Sequence, residues 1–441
     1  MNWLRPLLAA IAFLQPLFWV TNTALPLAYS ADRLMAGASL GGIFFTPMGL
    51  FFTGLRFPFR SRFMLIACAV TLFVFLAVLF WRRARWANWK TIAAGFATSA
   101  AIYGSSNWAQ ELVAGRQHAQ TAALLASLPK PAADLPYDRQ FFQRGVSFTA
   151  EAGVRYGSET SLEQLKQLAA HGVNAVALVP YGGGRATDTS IEIRTAGRGS
   201  WESDTGIEVT AAVAHQLGMR VMLKPHLWRL GGEAARTPDL RRQWFAQYRP
   251  FIEHYARLAA KIHADIFVVG TELGTLSQFD VEWRNIIAAV RVIYAGPLTF
   301  APTQGPEFET LAFWDALDYI GLDNYYPLPD SYSTAELVAK VEAVHRKFNK
   351  PVVLTEAGFS AVENAHRAPW EDETDKPLSL QEQARCYEAL LAAFYHQPWF
   401  HGVYWWKVGT NGYGGPDNNS MTPWRKPAME VVKRWYLNGK R

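Results

Sequence analysis

Two short apolar runs in this chain end on a glutamate, and little else in the sequence constrains its fold as tightly. The first is Ile266-Phe-Val-Val-Gly-Thr-Glu-Leu-Gly274 and the second is Pro351-Val-Val-Leu-Thr-Glu-Ala-Gly358. Each reads as a buried strand, β-branched and bounded by glycine or proline. A carboxylate at the carboxyl tip of a buried strand is costly unless something uses it. Two strands that each deliver one can set a pair of acids face to face. That pairing suits glycoside hydrolysis, where one acid protonates the leaving oxygen and the other attacks or activates water.

From residue 143 onward the pattern alternates. Strand candidates fall at 145–148, 175–179, 220–224, 266–269, 298–301, 319–322, 352–354 and 402–405. Amphipathic stretches lie between them at 162–170, 209–217, 239–263, 281–294, 334–348 and 380–396. Eight strands with intervening helices over about 300 residues predict an α/β fold, a (β/α)8 TIM barrel occupying 143–441. A doubly wound open sheet is the alternative, but its first strand is usually followed by a glycine-rich phosphate turn. Here the first strand runs into Thr149-Ala-Glu-Ala-Gly153, and Gly182-Gly-Gly-Arg185 lacks the ending of a P-loop.

In a barrel the reactive groups gather at the carboxyl ends of the strands. Collecting those positions yields Ser147 and Glu151, Tyr181, His226 and Trp228, Thr271 and Glu272, Gln304, Asn324 to Tyr326, Glu356, and Trp405 to Lys407. Glu272 follows the fourth strand and Glu356 the seventh; two long loops, 181–206 and 359–379, rim the same face. The bland reading of both glutamates is a pair of helix caps or partners for arginine. Asp323 is a third acid, read as a supporting hydrogen-bond partner. His226 is open between a sugar contact and a structural histidine. Side chains alternate along a strand, so one member each of Tyr325-Tyr326 and Trp405-Trp406 points inward and the other toward the helices.

Four blocks taken together carry a resemblance: Val269-Gly-Thr-Glu-Leu-Gly274, Leu317-Asp-Tyr-Ile-Gly-Leu-Asp-Asn-Tyr-Tyr-Pro327, Val353-Leu-Thr-Glu-Ala-Gly-Phe359 and Gly402-Val-Tyr-Trp-Trp-Lys407. The region 143–435 resembles glycoside hydrolase family 113, of β-mannanase type, within a clan of retaining glycosidases that use strands four and seven. The resemblance implies Glu272 as acid/base and Glu356 as nucleophile. It implies Tyr325 or Tyr326 beside the nucleophile, and Trp405 or Trp406 as the floor of the sugar subsite. Ser147, Tyr181, His226, Trp228, Thr271 and Asn324 complete the expected substrate-binding set. The wider clan carries asparagine before the acid/base, where Thr271 stands here.

The first 112 residues have a different character. They carry nine Lys/Arg against Asp32 and Glu111, whereas the remainder is nearly neutral. The positive charge flanks four uncharged windows, 6–31, 34–55, 63–81 and 91–110, each close to the ~20 residues that span a bilayer. A multi-pass membrane region of three or four transmembrane helices is expected over 1–112, with a stalk and linker over 113–142. The basic residues divide almost evenly between the two faces, and the slight excess puts the catalytic domain on the extracytoplasmic side. Charge confined to membrane flanks argues against a nucleic-acid partner.

Only Cys68 and Cys386 occur, so no disulfide framework exists. The ten histidines include no His-x-x-x-His pair, and no zinc-type cysteine cluster or Gly-x-Ser-x-Gly elbow is present. No metal and no cofactor are expected. The sequence thus predicts a membrane-anchored retaining hydrolase of a β-linked glycan, with β-1,4-mannan or manno-oligosaccharide implied by the resemblance. The alternatives are another envelope β-glycan and a non-catalytic, membrane-tethered glycan-binding barrel.

Overall fold

The structure is a computed structural model in which residues 114–128, 141–183, 201–228, 235–372 and 375–439, together with Leu112 and Ile191, are described. The chain divides between Gln117 and His118, and all that follows concerns the second unit. Among the described residues no helix is long and apolar enough to cross a membrane. The four uncharged windows in which three or four spans are expected lie outside the described residues.

Eight strands run in parallel: β1 (Gln143–Thr149), β2 (Ala175–Leu178), β3 (Arg220–Leu223), β4 (Ile266–Thr271), β5 (Leu298–Ala301), β6 (Ile320–Asn324), β7 (Val352–Ala357) and β8 (Phe400–Gly409). They pair in the order β5-β4-β3-β2-β1-β8-β7-β6. The seam between β5 and β6 is drawn together by Asp318 N to Leu298 O at 2.9 Å and Asp323 N to Pro302 O at 2.9 Å. Gly321 permits that approach, since a Cβ there would stand 2.1 Å from the Phe300 carbonyl oxygen. The expected barrel is therefore present.

Helices follow the strands: α1 (Glu159–Ala170), α2 (Asp204–Gln216), α3 (Pro238–Lys261), α4 (Asp280–Ile293), the single-turn α5 (Pro306–Thr310), α6 (Ala335–Phe348), α7 (Leu380–Phe394) and α8 (Pro427–Asn438). Four of the expected helices, α3, α4, α6 and α7, begin within one residue of expectation, while α1 and α2 begin three and five residues earlier. Ser158, Ser203, Thr237 and Ser379 accept a hydrogen bond from the backbone three residues on, satisfying a donor that the first turn leaves free. Neither α5 nor α8 was among the expected helices. A three-residue parallel ribbon, Tyr181–Gly183 with His226–Trp228, also rises where only loop was expected.

Two apolar layers result from strand alternation. Ala175, Ala177, Val179, Met222, Ile266, Val268, Ala301 and Val353 fill the barrel lumen. Val176, Leu178, Val221, Leu223, Phe267 and Val269 face the helices. The lumen is thus a packed core, closed beneath the carboxyl ends of the strands. Within the expected stalk, Leu124, Leu125 and Leu128 pack against the helix layer.

Candidate active site

The site is built where β4, β6 and β7 end. Glu272 follows β4, its amide bonded to the Ala301 carbonyl at 2.8 Å. Its φ is +49°, in the left-handed region that a β-carbon disfavours. Such strain, of order 1–3 kcal/mol, persists only where the surroundings hold it. Gly274 and Glu307 do part of that work: the Gly274 amide donates to Glu307 Oε1 at 2.9 Å, while Glu307 Oε2 accepts from Thr303 N at 2.9 Å and Thr303 Oγ1 at 3.0 Å.

Glu356 lies inside β7, in register with Asp323 of β6. One carboxylate oxygen from each of Glu272, Asp323 and Glu356 lies within 4.8 Å of the other two. The set is of a size that could hold a cation, and an ammonium already occupies that role. Lys224, one residue beyond β3 and wholly buried, donates to both oxygens of Asp323 at 3.0 Å and to Oε1 of Glu356. Thr355 Oγ1 donates to Asp323 Oδ1 at 2.7 Å, and Tyr325 Oη donates to Glu356 Oε2 at 2.6 Å.

These surroundings act on the protonation of Glu272. Burial, and next the Glu356 charge, raise Glu272 to about 7. Both oxygens of Glu356 accept hydrogen bonds, from Lys224 and from Tyr325. Burial and then the Glu356 charge drive Tyr325 well above its ordinary value, so its phenol stays a donor. Burial and then Lys224 lower His226 to about 3. Its Nε2 stands 3.9 Å from Glu272 Oε2, and a neutral imidazole at that distance is not an ion pair.

The other expected residues divide. Tyr181 stacks on His226 with ring centroids 5.3 Å apart, both at the mouth. Ser147 sits in the lumen register beside Ala177, its hydroxyl buried without a partner; Asn324 Oδ1 is also buried and unpartnered. Trp406 is half-buried, packs on the lumen core and lies 6.0 Å from Lys224 Nζ. Thr271 is less free than expected, because its hydroxyl donates to the Pro225 carbonyl at 3.1 Å. Trp228 contributes backbone to the ribbon; its side chain is not among those described.

Two residues of the expected set are turned away. Trp405 is fully buried in the helix layer, stacked on Tyr387 of α7 at 4.0 Å. Tyr326 donates to Glu309 Oε1 at 2.6 Å and accepts from the Gly305 amide at 2.8 Å, on the α5 side. Within β8 the alternation of the strand sends Trp406 in and Trp405 out, and the two tyrosines just past β6 divide in the same way.

Lys224 was missing from the expected set. Its signal was a lysine directly after the apolar run Val221-Met-Leu223, at the same barrel end as the glutamates. Glu202 was missed as well: it accepts from the Tyr181 amide at 2.8 Å, and burial raises it to about 8.

A family model described as Glycoside Hydrolase Family 113 matches residues 146–422. No curated protein matches the chain in sequence. Among solved structures, the GH113 β-mannanase AaManA of Alicyclobacillus acidocaldarius, in complex with ManMIm, is 30% identical with a TM-score of 0.61. That alignment covers 69% of this chain and 99% of the mannanase. A GH113 β-1,4-mannanase solved as a complex is 25% identical with a TM-score of 0.60, over 68% of this chain and 99% of that one.

Proposed function

The chain belongs to Glycoside Hydrolase Family 113, and on that premise we propose that it cleaves β-1,4-mannan or manno-oligosaccharides with retention of configuration. As a glycoside hydrolase it is an enzyme, which sets aside the reading as an inactive glycan-binding barrel. The mannan assignment draws on the two solved relatives named as mannanases.

The observation that carries the mechanism is the proximity of the two strand-end glutamates. Retaining enzymes hold their carboxyl groups about 5–5.5 Å apart, while inverting ones leave roughly 6.5–9.5 Å for a water. Oxygens of Glu272 and Glu356 approach within 4.8 Å, which favours the first. Glu272, held protonated by burial and by its neighbour, gives its proton to the leaving oxygen as Glu356 attacks the anomeric carbon. The C1–O bond to the leaving sugar breaks and a glycosyl ester forms on Glu356. Glu272, now ionised, takes a proton from the water that displaces the ester, which restores both groups. Tyr325 orients the nucleophile through Oε2, and Trp406 offers the flat face on which a sugar ring packs.

The test is hydrolysis by the full-length chain of β-1,4-mannan beside a panel of other β-glycans. Proton NMR should show the β-anomer first. Azide should convert an activated β-mannoside to the α-azide with Glu356→Ala and to the β-azide with Glu272→Ala. An α-anomer appearing first from the wild type would refute retention. Turnover confined to another β-glycan would leave the mechanism and move the substrate.

Residues 1–112 are proposed as the anchor that holds this barrel at a membrane, on its extracytoplasmic side. That proposal rests on the uncharged windows and their basic flanks.

A further inference from the structure

Lys224 has more to do than neutralise one acid. An ammonium has three protons and no acceptor, and a wholly buried one must place all three on protein. Lys224 places two on the oxygens of Asp323 and the third on Glu356 Oε1. Asp323 is also tied by Thr355 Oγ1. The cation is therefore pinned on the Asp323 side and shares what is left of its field with the glutamates. Its field reaches Glu272 as well as Glu356.

The charges can be followed through the reaction assigned above, on which this inference rests. Before the first step Lys224 is positive, Glu356 is negative and Glu272 carries its proton; Asp323, raised by burial and the Glu356 charge but held by Lys224 and Thr355, is a spectator common to both states. After it, Glu356 is a neutral ester, the proton has left with the leaving sugar, and Glu272 is negative. The two glutamates share one negative charge in both states. Only its location changes, from one carboxylate to another within 4.8 Å.

We propose that Lys224, fixed by Asp323, is a shared counter-ion that stabilises the Glu356 carboxylate before glycosylation and the Glu272 carboxylate after it. A charge that is already in place for both states costs no reorganisation when the negative charge moves. The purely structural alternative is a Lys224–Asp323 pair that only closes the base of the site. The two differ in what happens when the pair is removed as a unit. Breaking one partner of a buried pair leaves an unpaired charge, whereas replacing both with neutral groups of similar shape is often tolerated.

The experiment uses the full-length chain carrying Lys224→Met with Asp323→Asn, and separately Lys224→Gln. Each is treated with 2-deoxy-2-fluoro-β-mannosyl fluoride. Mass spectrometry follows the rate at which Glu356 is labelled, then the rate at which the labelled protein recovers activity. Thermal melting reports whether each variant is folded. The proposal expects both rates to fall, by about a hundredfold or more, in a protein that still melts cooperatively. Labelling and reactivation at wild-type rates in the double variant would overturn it. Slow labelling with normal reactivation would also overturn it, since Lys224 would then serve Glu356 alone. Lys224→Gln keeps a donor toward Glu356 but not the charge; it should slow both steps, and wild-type rates there would equally refute the proposal should the double variant fail to fold. Absence of labelling at Glu356 in the wild type would count against the mechanism proposed above, a result distinct from any of these.

Discussion

Replacing Glu356 with Gln should lower the proton affinity of Glu272, by an amount the geometry bounds. Glu272 stands at about 7 because it is buried and because the Glu356 charge is close. Taking 4.8 Å as the separation, one unit charge acts on another with about 3.5 kcal/mol at an effective dielectric of 20 and about 0.9 kcal/mol in water. Dividing by about 1.36 kcal/mol per pH unit gives a fall of about 0.6 to 2.5 units. The Glu272 side chain is 27% exposed, which favours the lower half of that range. Burial is untouched by the substitution, so the midpoint should stay above the ordinary value of 4.5. Carbon-detected NMR of isotopically labelled glutamate, read across pH in the wild type and in Glu356→Gln, measures both midpoints. A midpoint that does not move, or that rises, would mean that Glu356 is not the charge acting on Glu272. The same downward movement is expected when a fluorosugar occupies Glu356, and it is what turns the acid of the first step into the base of the second.

Because Glu272 must carry its proton to act as an acid, kcat/KM should fall about tenfold per pH unit above about 7, and a flat profile to pH 9 would remove it from that role. Tyr325→Phe should lower kcat about tenfold to a hundredfold by removing a charge-assisted bond to the nucleophile. Tyr326→Phe should leave kcat alone and cost about 1 kcal/mol of stability in denaturant melts; the reverse ranking would refute the assignment of the pair. Trp405→Ala should destabilise the fold by about 3–5 kcal/mol, whereas Trp406→Ala should mainly raise KM for oligosaccharides. The full-length chain should stay with the membrane fraction through a carbonate wash, and its recovery in the supernatant would end the multi-span reading of residues 1–112.

Local pattern was enough to reveal the barrel and the two glutamates. A parallel strand buried on both faces reads as a continuous apolar run, and the helices between strands repeat with their own period. Both signals are written in neighbouring residues, as are the capping serines and threonine at 158, 203, 237 and 379. Glu272 and Glu356 stood out because a carboxylate that ends an apolar run contradicts its surroundings. The single-turn α5 escaped because five residues hold too little periodicity to register.

What tertiary structure decided was direction and company. Sequence spacing says that Tyr325 and Tyr326, or Trp405 and Trp406, point opposite ways, but which ring enters the mouth depends on the register of β6 and β8 against their neighbours. That register shifts between Leu322 and Asp323, and again along β8 between Val403 and Trp405. Thr271 spends its hydroxyl on Pro225, a residue forty-six positions away, and no local signal records that bond. Lys224 meets Asp323 and Glu356 across ninety-nine and one hundred and thirty-two residues of chain. An ion triad of that kind exists only once eight strands have closed, because only closure brings the ends of β3, β6 and β7 to one mouth and removes the water that would otherwise solvate each charge alone.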